Sequence, residues 1–311
     1  MEVCFYNMNH IGDIYFSALF INLICKLNKN MKFLYYFFNG DIFFKTIPNI
    51  QRITPLENNY LGKLINGEPP ENLINNDILK LLQKHKMETA GSKIIEFNGK
   101  PILFINTWCN SSYLKHNDYD IKSAIVSYEN LIQTLKSHHN LILNYEIKKP
   151  TDLIDNIILF KNNDDFHEKN ISNEELKDSI FIFNFKPRSL TFDVGHFNTF
   201  ITNLSKNSKV ILTCYEPMFD NNNNIKFTDK DYHIYPTPSC ENLLNIWDIA
   251  SQCCKIIILP TGSSWTFLHK INIIKQNQIF MFKDKKYCDL LNEQICFLFG
   301  ENKNLVNMCS F

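Results

Sequence analysis

Five short clusters in this 311-residue chain combine residue types that handle protons, sugar hydroxyls and phosphates. The first is His10-Ile11-Gly12-Asp13. A carboxylate at a helix N-terminus is held ionised by the helix dipole, and an ionised carboxylate can take a proton from an attacking hydroxyl. The same residues also suit a plain glycine turn with Asp13 as a cap. The second is Lys186-Pro187-Arg188-Ser189, with Thr191 two residues on. Two fixed cations and nearby hydroxyls suit a diphosphate, and equally a solvated basic turn. The third is Pro260-Thr261-Gly262-Ser263-Ser264. Its small residues leave backbone N–H groups open to an anion at a helix N-terminus, although the Gly-Lys-Ser/Thr ending of a P-loop is missing. The fourth is Glu216, placed where a nucleotide fold binds ribose hydroxyls. The fifth is Asp118-Tyr119-Asp120, which could hold a divalent ion on a sugar nucleotide, or simply start a helix at residue 121.

The elements that must position these groups follow from the apolar pattern. Residues 2–7 read as a strand. After the glycine turn a helix starts near Asp13, with Ile14, Ala18, Ile21 and Cys25 on one face and apolar residues over most of the rest. Residues 32–38 form a second strand, so the chain opens as β-turn-α-β, the unit that builds parallel sheets. A short strand is expected at 50–54, loops over 58–78, a helical turn at 78–84 and a buried strand at 101–107. That strand opens into a polar loop carrying Trp108, Asn110, Tyr113 and His116. A helix over 121–135 follows, with Asp120 as N-cap. The composition changes over 145–178, and two domains are expected, 1–170 and 171–311. The second half repeats the pattern: strands at 180–185, 209–214 and 255–259, with helices at 195–204 and 242–252. His138 and His139 point different ways from one helix and make a poor chelator. Met31, Met218 and the phenylalanine runs read as packing.

Composition excludes several classes. Apolar residues make up 45% and charged residues 21%, which rules out wholesale disorder. Lys plus Arg is 32 and Asp plus Glu is 32, so no cationic surplus drives nucleic-acid binding. None of the ten cysteines forms Cys-x-x-Cys. That pattern suggests reduced thiols in a cytoplasmic protein, with no metal site. The start lacks the basic segment of a signal peptide. The apolar stretch 14–25 is shorter than the roughly 20 residues a membrane helix needs. Peripheral contact with a membrane stays open.

In this order and spacing, the clusters resemble glycosyltransferase family 9, the ADP-heptose:lipopolysaccharide heptosyltransferases. HIGDIYFSALFINLICKLNKNMKFLYYFFNGDIFFKTIPNIQRITPL is similar to the family's opening, and ENLLNIWDIASQCCKIIILPTGSSW to its nucleotide loop. Pro260 and Trp265 depart from the Asp and His of that loop. The resemblance implies an α/β fold of the GT-B type, with two Rossmann-like domains of parallel sheet facing a cleft. It implies an inverting glycosyltransferase, metal-independent, without a bound cofactor. Asp13 would be the base. Lys186, Arg188, Ser189, Glu216, Thr261, Gly262, Ser263 and Ser264 would hold the nucleotide sugar. A glycan or lipid-linked glycan acceptor would meet His10, Gly12, Trp108, Asn110, Tyr113 and His116. Two alternatives accompany this expectation: a nucleotide-sugar-binding scaffold without activity, and a metal-dependent GT-A transferase using Asp118 and Asp120.

Overall fold

The structure is a computed structural model that describes residues 1–7, 11–37, 43–44, 47–53, 77–87, 90–109, 111–114, 120–153, 173–184, 193–228, 246–247, 249–259, 278–282, 285–300 and 306–309. The chain divides into two compact units, Met1–Leu159 and Phe160–Phe311. The expected boundary at 170/171 lies outside the described residues.

The first unit is built on a five-stranded sheet. Strand β1 (Glu2–Asn7) is paired in parallel with β2 (Phe33–Phe37) on one side and β5 (Lys100–Asn106) on the other. Strand β3 (Ile50–Arg52) extends the β2 side, and β4 (Ser92–Phe97) forms an antiparallel edge beside β5. The order is therefore β3-β2-β1-β5-β4. Helix α1 (Ile11–Leu27) returns the chain from β1 to β2. Every residue from Ile14 to Cys25 is buried, which explains why apolar side chains occupy nearly its whole circumference. On this side Phe20 stacks on Tyr128 of helix α3 (Ile121–His139), with ring centroids 4.2 Å apart. Cys4, Tyr6, Leu34, Tyr36 and Phe104 line the opposite face of the sheet. They are covered by Ile78 and Leu82 of helix α2 (Asp77–Lys84).

The second unit carries a six-stranded sheet, entirely parallel. Its strands are β6 (Ser179–Phe183), β7 (Lys209–Leu212), β8 (Ile225–Phe227), β9 (Lys255–Ile258), β10 (Gln278–Phe282) and β11 (Val306–Cys309). The order β11-β10-β9-β6-β7-β8 runs outward both ways from β6. This is the doubly wound order of dinucleotide-binding folds. A short helix α4 (Asn173–Lys177) leads into β6. Helix α5 (Val194–Ser205) covers one face with Phe197, Phe200 and Ile201. On the other face Trp247, fully buried, stacks on Phe183 at 4.8 Å. Helix α6 (Lys285–Phe299) holds the last strand: Asn292 exchanges two hydrogen bonds with the backbone of Val306, at 2.7 and 3.0 Å. The fold class expected from the sequence is thus found, α/β with two parallel-dominant, Rossmann-like sheets.

The expected elements that fall on described residues recur with boundaries shifted by a few residues, and some were not anticipated; most of the loops expected over 58–78 and the start of the helix expected at 242–252 lie outside the described residues. Residues 77–84 form a full helix. α3 runs on to His139, four residues past the expected end, where Asn140 adopts a left-handed backbone and its N–H bonds to Leu135 O. Strands β4, β8, β10 and β11 and helix α6 were missed. For β4 the signal was present: Asn98-Gly99 separates two strand-like runs, which is a hairpin pattern. Both turn residues have positive φ, 51° for Asn98 and 74° for Gly99. Met218 is a correction. It is 58% exposed, because it lies on a short 3-10 turn (Pro217–Phe219) whose inward position is taken by Phe219. Eight described cysteines are free thiols, six buried, with Cys254 exposed and Cys296 half-buried. Among the described residues no helix is long and apolar enough to cross a membrane.

The hairpin yields a test. No atom lies within 4 Å of where a Gly99 Cβ would stand, so Gly99→Val meets backbone strain and no clash. It is expected to cost about 1–2 kcal/mol, read as a lower midpoint in urea denaturation.

Candidate functional site

Ligands of open α/β sheets bind at the carboxyl edge, where neighbouring strands depart in opposite directions. Each unit has one such place. In the first unit it lies between β1 and β5, and in the second between β6 and β9.

At the first, Asn7 closes β1 and Asp13 sits in the opening turn of α1. Asp13 is half-buried. A buried chain of hydrogen bonds fixes this turn. Asn7 Nδ2 donates to Ser17 Oγ at 2.9 Å and reaches Asp13 O at 3.5 Å. Ser17 Oγ donates to Thr107 O at 2.9 Å. The N–H and Oγ1 of Thr107 both donate to Tyr6 O, at 3.0 and 3.1 Å. Asn7, Ser17 and Thr107 are all buried. The network thus ties the helix that carries Asp13 to the ends of both strands flanking the strand-order reversal. None of these three was anticipated as a site residue. A polar residue closing an apolar strand, as Asn7 closes VCFY, was the available signal.

The loop after β5 starts in the same place. Trp108, half-buried, donates its N–H to Asn106 Oδ1 at 3.0 Å. Ser111 Oγ donates to Asn106 O and accepts from the N–H of Leu114. The Tyr113 ring lies flat over Gly91, so close that a Cβ there would stand 2.2 Å from the ring. Tyr113 Oη lies 3.5 Å from His138 Nδ1, and Ser92 Oγ lies 2.8 Å from His139 Nε2. His138 and His139 do point different ways, and together they anchor this loop and the start of β4. Burial, with the neighbouring His138 charge as a smaller cause, pushes the His139 pKa below its usual 6.5. Asp120 is the N-cap of α3, its Oδ1 accepting from Lys122 N–H at 3.2 Å. It therefore serves the helix start. His10, Asn110, His116 and Asp118 lie outside the described residues, as does any contact of Gly12.

In the second unit, β6 and β9 run side by side, and each ends where a candidate phosphate loop begins. Asn184 is the last described residue before Lys186, Arg188 and Ser189. Leu259 is the last before Pro260, Thr261, Gly262, Ser263 and Ser264. Those loop residues, and Trp265, are outside the described set. The structure brings the roots of the two loops together on adjacent strands. Glu216 follows β7, the strand on the other side of β6. It is 9% exposed and precedes Pro217 as the cap of a 3-10 turn. Among the described residues, no group of three or more His, Cys, Asp or Glu could hold a metal ion. A cavity of 410 Å³ lies along α5, from His196 to Ser208. An α-helix between parallel strands runs back toward the amino edge, so most of this cavity lies away from the loop roots.

No family model matches the sequence, and no curated protein does. Solved structures similar to this chain include the E. coli heptosyltransferase WaaC with ADP, at 9% identity and a TM-score of 0.42, covering 99% of this chain and 93% of that one. WaaC with ADP-2-deoxy-2-fluoro heptose gives 10% identity and a TM-score of 0.40 over the same shares. A glycosyl transferase of family 9 from Veillonella parvula gives 10% and 0.40, covering 90% of this chain and 80% of that one. At such values the likeness assigns neither an activity nor the role of any residue.

Two tests follow from this geometry. Ser17→Ala leaves Thr107 O and one Asn7 N–H without their buried partner, at an expected cost of about 1–3 kcal/mol in urea denaturation. An unchanged midpoint would show that the network holds nothing in place. His139, whose pKa is lowered on folding, binds its proton first in the unfolded chain. Its contribution to stability is therefore present above pH 6.5 and is lost as pH falls below that value. The thermal midpoint of His139→Gln is expected to decline less between about pH 7 and about pH 5 than that of the native protein.

Proposed function

We propose that this protein is a glycosyltransferase of the GT-B type. The second unit would hold a nucleoside-diphosphate sugar, and the first a glycan or lipid-linked glycan acceptor. The observation that carries the reading is the placement just described. Asp13, Trp108 and Glu216, and the roots of the loops after β5, β6 and β9, stand at the carboxyl edges of their sheets.

In this mechanism Asp13 takes the proton of the acceptor hydroxyl as its oxygen attacks the anomeric carbon. The bond from that carbon to the diphosphate breaks on the opposite face, so the configuration inverts. The departing diphosphate gathers negative charge. Lys186, Arg188 and the backbone N–H groups of the Thr261–Ser264 turn would stabilise it, in the place a metal ion could otherwise take. Ser189 adds a hydroxyl donor, and Glu216 accepts from the ribose hydroxyls. On the acceptor side, His10, Gly12, Trp108, Asn110, Tyr113 and His116 would line the approach to Asp13.

Arginine usage supports the phosphate role. The 32 Lys plus Arg include only two arginines, Arg52 and Arg188. Arg52 has a structural use in the first unit: its Nη2 donates to Phe37 O at 2.6 Å and its guanidinium lies over the Tyr35 ring. Arg188 stands in the loop rooted on β6. A planar fork that grips two oxygens at once is what arginine offers a diphosphate over lysine. In so lysine-rich a chain, that difference accounts for an arginine there. The enzyme would work in the cytoplasm, where nucleotide sugars are made available.

The test separates binding from chemistry. Asp13→Asn keeps the shape of the side chain and loses the base. Transfer measured with a panel of nucleoside-diphosphate sugars is expected to fall by at least about 100-fold. Nucleoside-diphosphate affinity by calorimetry should change less than about threefold, since Asp13 lies in the other unit. Native-like turnover in the variant would remove Asp13 from the mechanism. Nucleotide binding without turnover in the native protein would favour the scaffold alternative, to which the replacements Pro260 and Trp265 point.

A further inference from the structure

The carboxyl end of β6 is tied to β7 by side chains as well as by the backbone. Toward β7, the N–H and Oγ1 of Thr213 both donate to Ile182 O, at 3.1 and 2.9 Å. One residue further, a side chain replaces backbone-to-backbone pairing. Asn184 Oδ1 accepts from the N–H of Cys214 at 2.7 Å, and Asn184 Nδ2 donates to Cys214 O at 3.1 Å. An asparagine side chain is chemically a peptide group. Here it adds a rung to the β6–β7 ladder after the two backbones have begun to part. Both partners are buried, Asn184 at 4% and Cys214 at 2% exposure. Toward β9 the last rung is Leu259 N–H to Phe183 O, at a long 3.4 Å.

We propose that Asn184 is the positioning residue of the nucleotide site. By clamping the Cys214 peptide on both of its polar atoms, it sets where the chain leaves β7, and so holds Glu216 at the reach that accepts the ribose hydroxyls. The inference rests on the reading that the second unit binds a nucleoside diphosphate through Glu216. Two further bonds stiffen the same exit from the far side: Thr228 donates its N–H to Leu212 O and its Oγ1 to Thr213 O, both at 2.9 Å. Residues 212–214 are thereby held from both neighbouring strands. Only Tyr215 separates the clamped residue from Glu216, so the backbone reaches Glu216 from a fixed point. Without Asn184, the Cys214 peptide turns toward other partners and Glu216 moves with it.

The experiment compares a nucleotide with its deoxy form. ADP, UDP and GDP are titrated into the full-length protein by calorimetry, and the best binder is then compared with its 2′-deoxy and 3′-deoxy counterparts. A buried carboxylate accepting from a sugar hydroxyl favours the ribose form by about tenfold or more. Asn184→Leu keeps the branching of the side chain and removes both bonds. It is expected to reduce that preference to less than about threefold, as Glu216→Gln should do directly. Asn184→Asp keeps the acceptor and loses the donor. It too is expected to lower the ribose-to-deoxy ratio, on top of any uniform loss from its added charge, and carries the test if Asn184→Leu does not fold. Equal losses for ribose and deoxy forms, with the ratio unchanged, would overturn the positioning role and leave the nucleotide reading standing. A native protein that binds none of the three nucleotides would overturn the nucleotide reading itself, and the role of Asn184 with it.

Discussion

A peptide group that leaves a parallel sheet loses the partner that the ladder supplied, and its burial without a new one costs free energy. This constraint governs the carboxyl edges of both units. Sequence-distant side chains meet it in each case: Asn7, Ser17 and Thr107 in the first, and Asn184, Thr213 and Thr228 in the second. Because these groups are short and buried, each admits few geometries. The loops and helix turns that leave the edge therefore start from fixed points, and the candidate chemistry starts from the same points.

The two units meet the constraint in related ways. Each has an asparagine closing or directly following its central strand. In the first, Asn7 turns toward α1 and, through Ser17, connects the helix to β5, so the reversal between β1 and β5 is bridged. In the second, Asn184 turns toward β7 and ties the end of β6 to the backbone of Cys214. One strand-end residue type thus secures a helix in one unit and a neighbouring strand in the other, according to which neighbour it engages.

The anchor of the loop after β5 rests on similar economy. Gly91 is needed because the Tyr113 ring occupies the space of its side chain, and the adjacent Ser92 meets His139. The end of α3, the start of β4 and the loop carrying Trp108 are thereby packed together. Burial disfavours the charged form of His139 at that joint.

The apolar rhythm of the sequence by itself determined the parallel units, their opening β-turn-α-β elements, the burial of α1 over residues 14–25 and the cap at Asp120. These depend on neighbours within a few residues, where periodicity and capping act. It also marked Asp13, Glu216 and the two loop roots, since each follows a recognisable strand. It did not reveal β8, β10 or β11, which are short and gain their strand state from pairing with other strands of the sheet; β4 was legible in the Asn98-Gly99 hairpin signal but was not read. Nor did it place Met218, whose exposure depends on how one turn is rotated. Only the tertiary structure decided which strands are neighbours, and hence that the KPRS and PTGSS loops leave from adjacent ones. The hydrogen bonds of Asn7, Ser17 and Asn184 were out of reach for the same reason: their partners lie 10 to 90 residues away, and only strand order brings them within bonding distance.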